Sequence, residues 1–168
     1  MILVALYKKS APNAELIDKL ICFGTRSIYS HSEIIHIDDS TLACNQISVS
    51  PRDSELRIRA HTIDLDTWDY FQTEGNLDES KALKYCTEKL GTKYDWVALL
   101  GFVTRLKINS KNRMFCSEFT TEVLLQAGIQ LFNMSKPYMV SPAMQGDNPL
   151  LKKLNHLYIS CGVIYYSR

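Results

Sequence analysis

The sequence predicts an α+β fold in which one domain, residues 1–168, has a central antiparallel sheet packed against helices. Two observations lead to this prediction. Short apolar or alternating segments, typical of strands, are concentrated in the first half of the chain, and longer segments with helical spacing follow in the second half before one returning strand. A length of 168 residues is typical of one domain, and a hydrophobic content of 46% is sufficient for its core.

The first half predicts strands around a single helix. The apolar run Ile2–Tyr7 predicts a buried first strand, and Ala14–Phe23 predicts a helix that ends at Gly24. The helix is indicated by four apolar residues at helical spacing: Leu16, Ile17, Leu20 and Ile21. Four further segments are typical of strands, the first two forming a hairpin: Ser32–Ile37, Thr41–Val49, Glu55–Arg59 and Ile63–Tyr70.

The second half predicts mainly helices. Asp78–Leu90 begins with acidic residues and ends before Gly91, as a helix does. Four segments follow, in order a buried helix, an amphipathic helix ended by Gly128, a short helix and a final strand: Tyr94–Val103, Phe115–Ala127, Leu150–Leu154 and Leu157–Tyr166.

Composition excludes several classes of function. A formal net charge of +1 argues against a nucleic-acid partner. No apolar run is long enough to cross a bilayer, and the N-terminus lacks the basic region of a signal peptide, so we expect a soluble cytoplasmic protein. The five cysteines are odd in number and widely spaced, which disfavours a disulfide framework or zinc site, so we expect neither a metal nor another cofactor.

Cys116 is the strongest candidate for chemistry. It lies in the first turn of the predicted helix Phe115–Ala127, where the helix dipole stabilises a thiolate. The segment Arg105–Arg113 before it carries four positive charges and no carboxylate. Free N–H groups at the helix start could bind an oxyanion. The alternative is that Cys116 is one more buried thiol.

A thiol nucleophile needs a base, and four histidines are available. His31 stands at the start of a central strand, whereas His36 points to its other face. His156 is expected to be exposed, and His61 could cap a turn between two strands. Position therefore favours His31.

A third polar residue usually orients the imidazole. Asn45 and Gln46 are candidates on the neighbouring strand, and because they point to opposite faces only one can serve. Glu33 shares the face of His31, but two residues of strand rise separate the two by roughly 6–7 Å. A residue across the hairpin is therefore the favoured orienter.

Three motifs occur in the order His31-Ser32-Glu33-Ile34-Ile35, Tyr94-Asp95-Trp96 and Phe115-Cys116-Ser117-Glu118. In this order the chain resembles the circularly permuted branch of the papain-like NlpC/P60 superfamily. That branch includes lecithin:retinol acyltransferase-like proteins and YiiX/YaeF-type amidases, and its histidine precedes its cysteine. The resemblance extends from the first strand to Gly128.

The resemblance implies a permuted papain-like fold and a thiol hydrolase or acyltransferase. Cys116 would attack an amide, peptide or ester, His31 would be the base, and Asn45 would orient the ring as the third polar residue. Tyr94, Ser117 and Glu33 are the residues expected to contact substrate. Many relatives carry a histidine or glutamate as the third residue. An amide supplies no negative charge, so the imidazolium would be less stabilised.

Two other functions remain open at this point. The chain could be a binding or accessory protein, for example of viral or phage origin, that keeps the fold without the chemistry. Alternatively, the basic segment Arg105–Arg113 could bind an anion such as a phosphate or lipid headgroup. The patterns indicate neither the acyl substrate nor the oligomeric state.

Overall fold

This computed structural model describes residues 1–98, 112–133, 136–160 and 163–167, which form a mixed α+β structure. The strands within these ranges are β1 (Ile2–Lys8), β2 (Tyr29–Ile37), β3 (Cys44–Val49), β4 (Leu56–Ala60), β5 (Trp68–Thr73), β6 (Lys93–Tyr94), β7 (Arg113–Met114), β8 (Leu151–Lys153), β9 (His156–Ser160) and β10 (Val163–Ser167). The helices are α1 (Leu16–Thr25), α2 (Glu79–Glu88), α3 (Cys116–Gln126) and α4 (Pro142–Gly146), with a 3₁₀ turn at Pro137–Met139.

Six strands make one antiparallel sheet in the order β4-β3-β2-β1-β5-β8. β1 and β2 lie at its centre, and Tyr7 of β1 pairs with His31 of β2 on one side and with Trp68 of β5 on the other. Two small sheets complete the pattern, an antiparallel β9–β10 hairpin and a parallel β6–β7 pair. The predicted α+β class with a large antiparallel sheet is confirmed.

Successive apolar side chains of the central strands point to opposite faces of the sheet, so the core lies on both faces. One face, with residues such as Val4 and Ile34, packs against Phe119 and Val123 of α3. The other face is covered from the C-terminal part of the chain by Leu154 and Leu157. The sheet is therefore a rigid platform that carries α3.

Several predicted elements differ from those observed. Helix α1 continues through Gly24 and ends at Arg26, which adopts a left-handed conformation with φ of 54°. Residues 150–154 do not form a helix, because Leu151–Lys153 pairs as β8 with the end of β5. The strand predicted over Ile63–Tyr70 starts only at Trp68.

The C-terminal strand is a hairpin rather than a single strand. Half of the predicted buried helix Tyr94–Val103 lies outside the described residues, and in its first half Trp96 and Val97 are exposed. Among the described residues, no helix combines the length and apolar character that a membrane crossing requires.

Candidate active site

Cys116 is the first residue of α3, one residue inside the predicted helix start. The helix is anchored by polar contacts rather than by apolar packing alone. The Thr120 hydroxyl accepts from Ser32 of β2 at 3.0 Å, and the Gln145 side chain donates to the Ser117 carbonyl at 3.1 Å and to the Thr121 hydroxyl at 2.9 Å. These bonds fix the N-terminus of α3, and hence the thiol, against the central strand.

His31, the third residue of β2, lines the same cavity as Cys116. Burial disfavours the imidazolium, but the negative charge and hydrogen bond of Cys116, together with those of Glu33, outweigh it and raise the pKa of His31 from 6.5 to about 10. An imidazole held this way is protonated at neutral pH. The predicted pair of Cys116 and His31 is therefore brought together.

Glu33 is the residue that holds the His31 ring. His31 Nε2 lies 3.1 Å from Glu33 Oε1, and the same oxygen accepts from the Ser48 hydroxyl at 2.8 Å. Burial raises the pKa of Glu33, but the bond to His31, the charge of His31 and the bond from Ser48 prevail, so the net shift is downward. Because Nε2 is engaged by a carboxylate, Nδ1 is the nitrogen left for the thiol.

Asn45, the residue predicted to orient the His31 ring, does not lie beside that ring. In the β2–β3 register Asn45 lies opposite His36, so its side chain points to the face of His36 and away from that of His31 and Glu33. Gln46 does share the face of His31, but its amide oxygen is bonded to His61 Nδ1 at 2.9 Å. The assignment of Asn45 is corrected to Glu33, which holds the His31 ring and also lines the cavity, as expected of a substrate contact.

A second histidine supports the wall of the site. His61 Nδ1–H donates to Gln46, and His61 Nε2 accepts at 2.8 Å from the Tyr70 hydroxyl, which itself accepts from the Asp64 backbone N–H at 3.1 Å. Burial lowers the pKa of His61 and keeps the ring neutral. The sequence predicts His61 as a residue that caps a turn, and nothing in its local pattern indicates this series of hydrogen bonds.

Tyr94 lies beside the nucleophile because β6 pairs in parallel with β7, with Tyr94 opposite Met114. Burial, together with the negative charges of Cys116 and Asp95, raises the pKa of the Tyr94 phenol, so Tyr94 is neutral, and it lines the same cavity as Cys116. Tyr94 is thus placed where a substrate contact was expected.

Ser117 has a structural position. Its side chain is fully buried, and its hydroxyl donates to the Val140 carbonyl at 2.8 Å. The side chain is absent from the lining of the cavity at Cys116. The expectation that Ser117 contacts substrate through its side chain is therefore corrected.

A cavity of about 410 Å³ opens onto these groups. Aromatic rings form much of its wall, among them Tyr7, Trp68, Tyr94 and Trp96. Charged side chains also line it: Glu15, Asp18, Glu33, Arg52 and Arg57. The second carboxylate oxygen of Glu33 and the Tyr7 hydroxyl are buried without a hydrogen-bond partner among the described residues. Such groups are suited to an amphipathic ligand with polar atoms.

Among the described residues, no group of three or more His, Cys, Asp and Glu side chains is arranged to hold a metal ion. No protein-family model matches the chain, and no curated protein matches its sequence.

Proposed function

We propose that the chain is a cysteine-dependent hydrolase or acyltransferase, with Cys116 as nucleophile, His31 as acid and base, and Glu33 as the residue that orients His31. The observation that carries the proposal is the position of His31 between the Cys116 thiol and the Glu33 carboxylate, at the wall of a cavity. A charged, oriented imidazole next to a thiol at a helix N-terminus is the arrangement that activates cysteine.

The reaction follows from these positions. The Cys116 thiolate attacks the carbonyl carbon of an amide, peptide or ester, and the carbonyl electron pair moves to oxygen. Backbone N–H groups at the start of α3 are candidates to stabilise that oxyanion, because the first four N–H groups of a helix have no acceptor within it. When the tetrahedral intermediate collapses, His31 gives its Nδ1 proton to the departing amine or alcohol, leaving an acyl thioester.

The second half returns the enzyme to its starting state. His31, now neutral, removes a proton from a water, amine or alcohol, which attacks the thioester carbonyl and expels the Cys116 thiolate. Water gives hydrolysis, and an amine or alcohol gives acyl transfer. The Glu33 carboxylate stabilises the imidazolium form of His31 in both halves of the reaction. The weaker stabilisation expected from the amide of Asn45 therefore does not apply.

The permuted papain-like fold belongs to the same proposal. It is supported by the order of the groups along the chain, with His31 and Glu33 on β2 before Cys116 on α3. The α3 packing on β2 and β3 is also compatible with it.

An activated ester tests the proposal directly. With a p-nitrophenyl ester, we expect a burst of one nitrophenolate per chain and an acyl mass increment on the peptide that contains Cys116. Cys116→Ser and His31→Ala should abolish both signals. Cys86→Ala is the matched control, since Cys86 is a buried thiol of α2 remote from His31, and it should keep them. A burst that survives in His31→Ala, or equal labelling of several cysteines, refutes the proposal.

A further inference from the structure

Helix α1 exposes an apolar surface that the sheet does not cover. Phe23 is 84% and Leu16 74% exposed, and Leu20 is about half exposed. These residues stand at spacings of four and three along the helix, so they lie on one side of it. Ile28, in the segment that follows, is also half exposed, and it lines the same surface groove as Phe23. Together these four residues form the α1 surface.

Positive charges surround the α1 surface. Lys9, Lys19 and Arg26 are exposed and line the same groove as Phe23 and Ile28. Within the part of the chain that the structure describes, none of the three forms an ion pair. The surface therefore combines bulky apolar side chains with cations that no protein carboxylate neutralises.

The acidic residues of the helix do not offset these charges. Glu15 at the N-terminus of α1 is bonded to Arg52 at 3.1 Å. Asp18 is buried, where it accepts from Ser30 at 2.8 Å and from Arg52 at 3.2 Å. The buried carboxylate of Asp18 and the exposed carboxylate of Glu15 are both bonded to Arg52, whereas the three cations are exposed to solvent.

We propose that the α1 surface docks the protein on an anionic membrane. Phe and Leu side chains bordered by Lys and Arg are the composition of helices that lie in the headgroup region, where apolar residues enter the acyl boundary and cations bind the phosphates. The complementary charge favours an anionic bilayer over a neutral apolar partner or a second copy of this chain, whose α1 surface carries the same positive charge. The proposal does not depend on the thiol chemistry.

Co-sedimentation with vesicles tests the proposal. We expect the full chain to bind phosphatidylcholine vesicles that contain phosphatidylserine, to bind phosphatidylcholine alone at least about tenfold more weakly, and to be released by salt. Phe23→Ser with Leu16→Ser should weaken binding by about tenfold or more, because each removes a large apolar side chain from the contact. Lys19→Glu with Arg26→Glu should also weaken it at least about tenfold.

The matched control is Ile58→Ser with Leu125→Ser, two apolar residues of 45% and 43% exposure outside α1, which should leave binding unchanged. Thermal melting verifies that all variants are folded, and Cys116→Ser should bind as the wild type does. Equal binding to both vesicle types, or binding that the α1 variants do not alter, overturns the proposal. So does self-association in sedimentation velocity that Phe23→Ser abolishes while vesicle binding is absent.

Discussion

Replacing Glu33 by glutamine removes the charge that holds His31 while preserving the shape of the side chain. The pKa of His31 rises from 6.5 to about 10 against the cost of burial, with Cys116 the largest stabilising neighbour and Glu33 the next. A hydrogen bond to a charged group contributes about 2 kcal/mol, so we expect the loss of the carboxylate to destabilise the imidazolium by about that amount. We therefore expect the thiolate–imidazolium pair to be about 10- to 100-fold less populated.

The assay is alkylation of Cys116 by iodoacetamide near neutral pH, with the labelled peptide quantified by mass spectrometry. The rate in Glu33→Gln should fall by about tenfold or more, since the thiolate is the reacting species. Imidazole NMR should report the accompanying downward shift in the pKa of His31.

Asn45→Ala is the matched control, because Asn45 lies on the neighbouring strand but faces away from His31. It should change the alkylation rate by less than about twofold. An unchanged rate in Glu33→Gln, or an equal loss in Asn45→Ala, refutes the assignment of Glu33 as the orienting residue.

Three further changes have definite expected outcomes. Cys116→Ser removes the main anion beside His31, so NMR should show the pKa of His31 falling well below about 10. Burial and the nearby Glu122 and Asp95 raise the pKa of Glu118 to about 7 from 4.5, against a lowering bond from the Phe115 N–H. Because this pKa is raised, the native state holds the proton more tightly than the unfolded state, and the protein loses stability as pH rises through that window. In urea unfolding, the wild type should lose about 3 kcal/mol between about pH 5 and pH 8, and Glu118→Gln should not show this loss. An unchanged pH dependence in Glu118→Gln would contradict the reasoning. Ser117→Ala should lower the free energy of unfolding in urea by about 1–3 kcal/mol, because it leaves the Val140 carbonyl unsatisfied. Alkylation of Cys116 should proceed at the wild-type rate. Slower alkylation at unchanged stability would show that the Ser117 side chain acts in the site.

The sheet was largely predictable because its strands have local signals. The first strand, the hairpin around Asp38 and the strand after Ser54 occur within a few residues of their predicted bounds. The C-terminal region was not predictable in this way. Leu150, Leu151 and Leu154 repeat at a helical spacing, but pairing with the end of β5 is a long-range interaction that local spacing does not contain.

The site was predictable in its two reactive residues and not in the residue that supports them. Cys116 was found from its position at a helix start, and His31 from its position on a strand. Glu33 was set aside on backbone separation alone, although a glutamate side chain is long enough to close the gap to a ring on the same face. The prediction of Asn45 is wrong because a shift of one residue in strand register moves a side chain to the other face of the sheet, and composition does not reveal the register.

The same limit applies to α1. Its four apolar residues at helical spacing predict the helix but not which of them is covered: Leu16 and Leu20 are exposed, whereas Ile21 is buried. The apolar arc of the helix is wider than the area that the sheet covers. Spacing identifies the side of a helix that is apolar, but the extent of its cover depends on the rest of the fold.

The parallel pairing of β6 and β7 has a consequence for the cavity wall. Tyr94 and Met114 are partners, and the Asp95 N–H donates to the Met114 carbonyl at 3.0 Å, so two positions distant in sequence are held together two residues before Cys116. Because the two ends are fastened to each other, the number of residues between them can change without moving the nucleophile. A change of length there would alter the cavity wall next to Trp96 while leaving Cys116 and His31 in place.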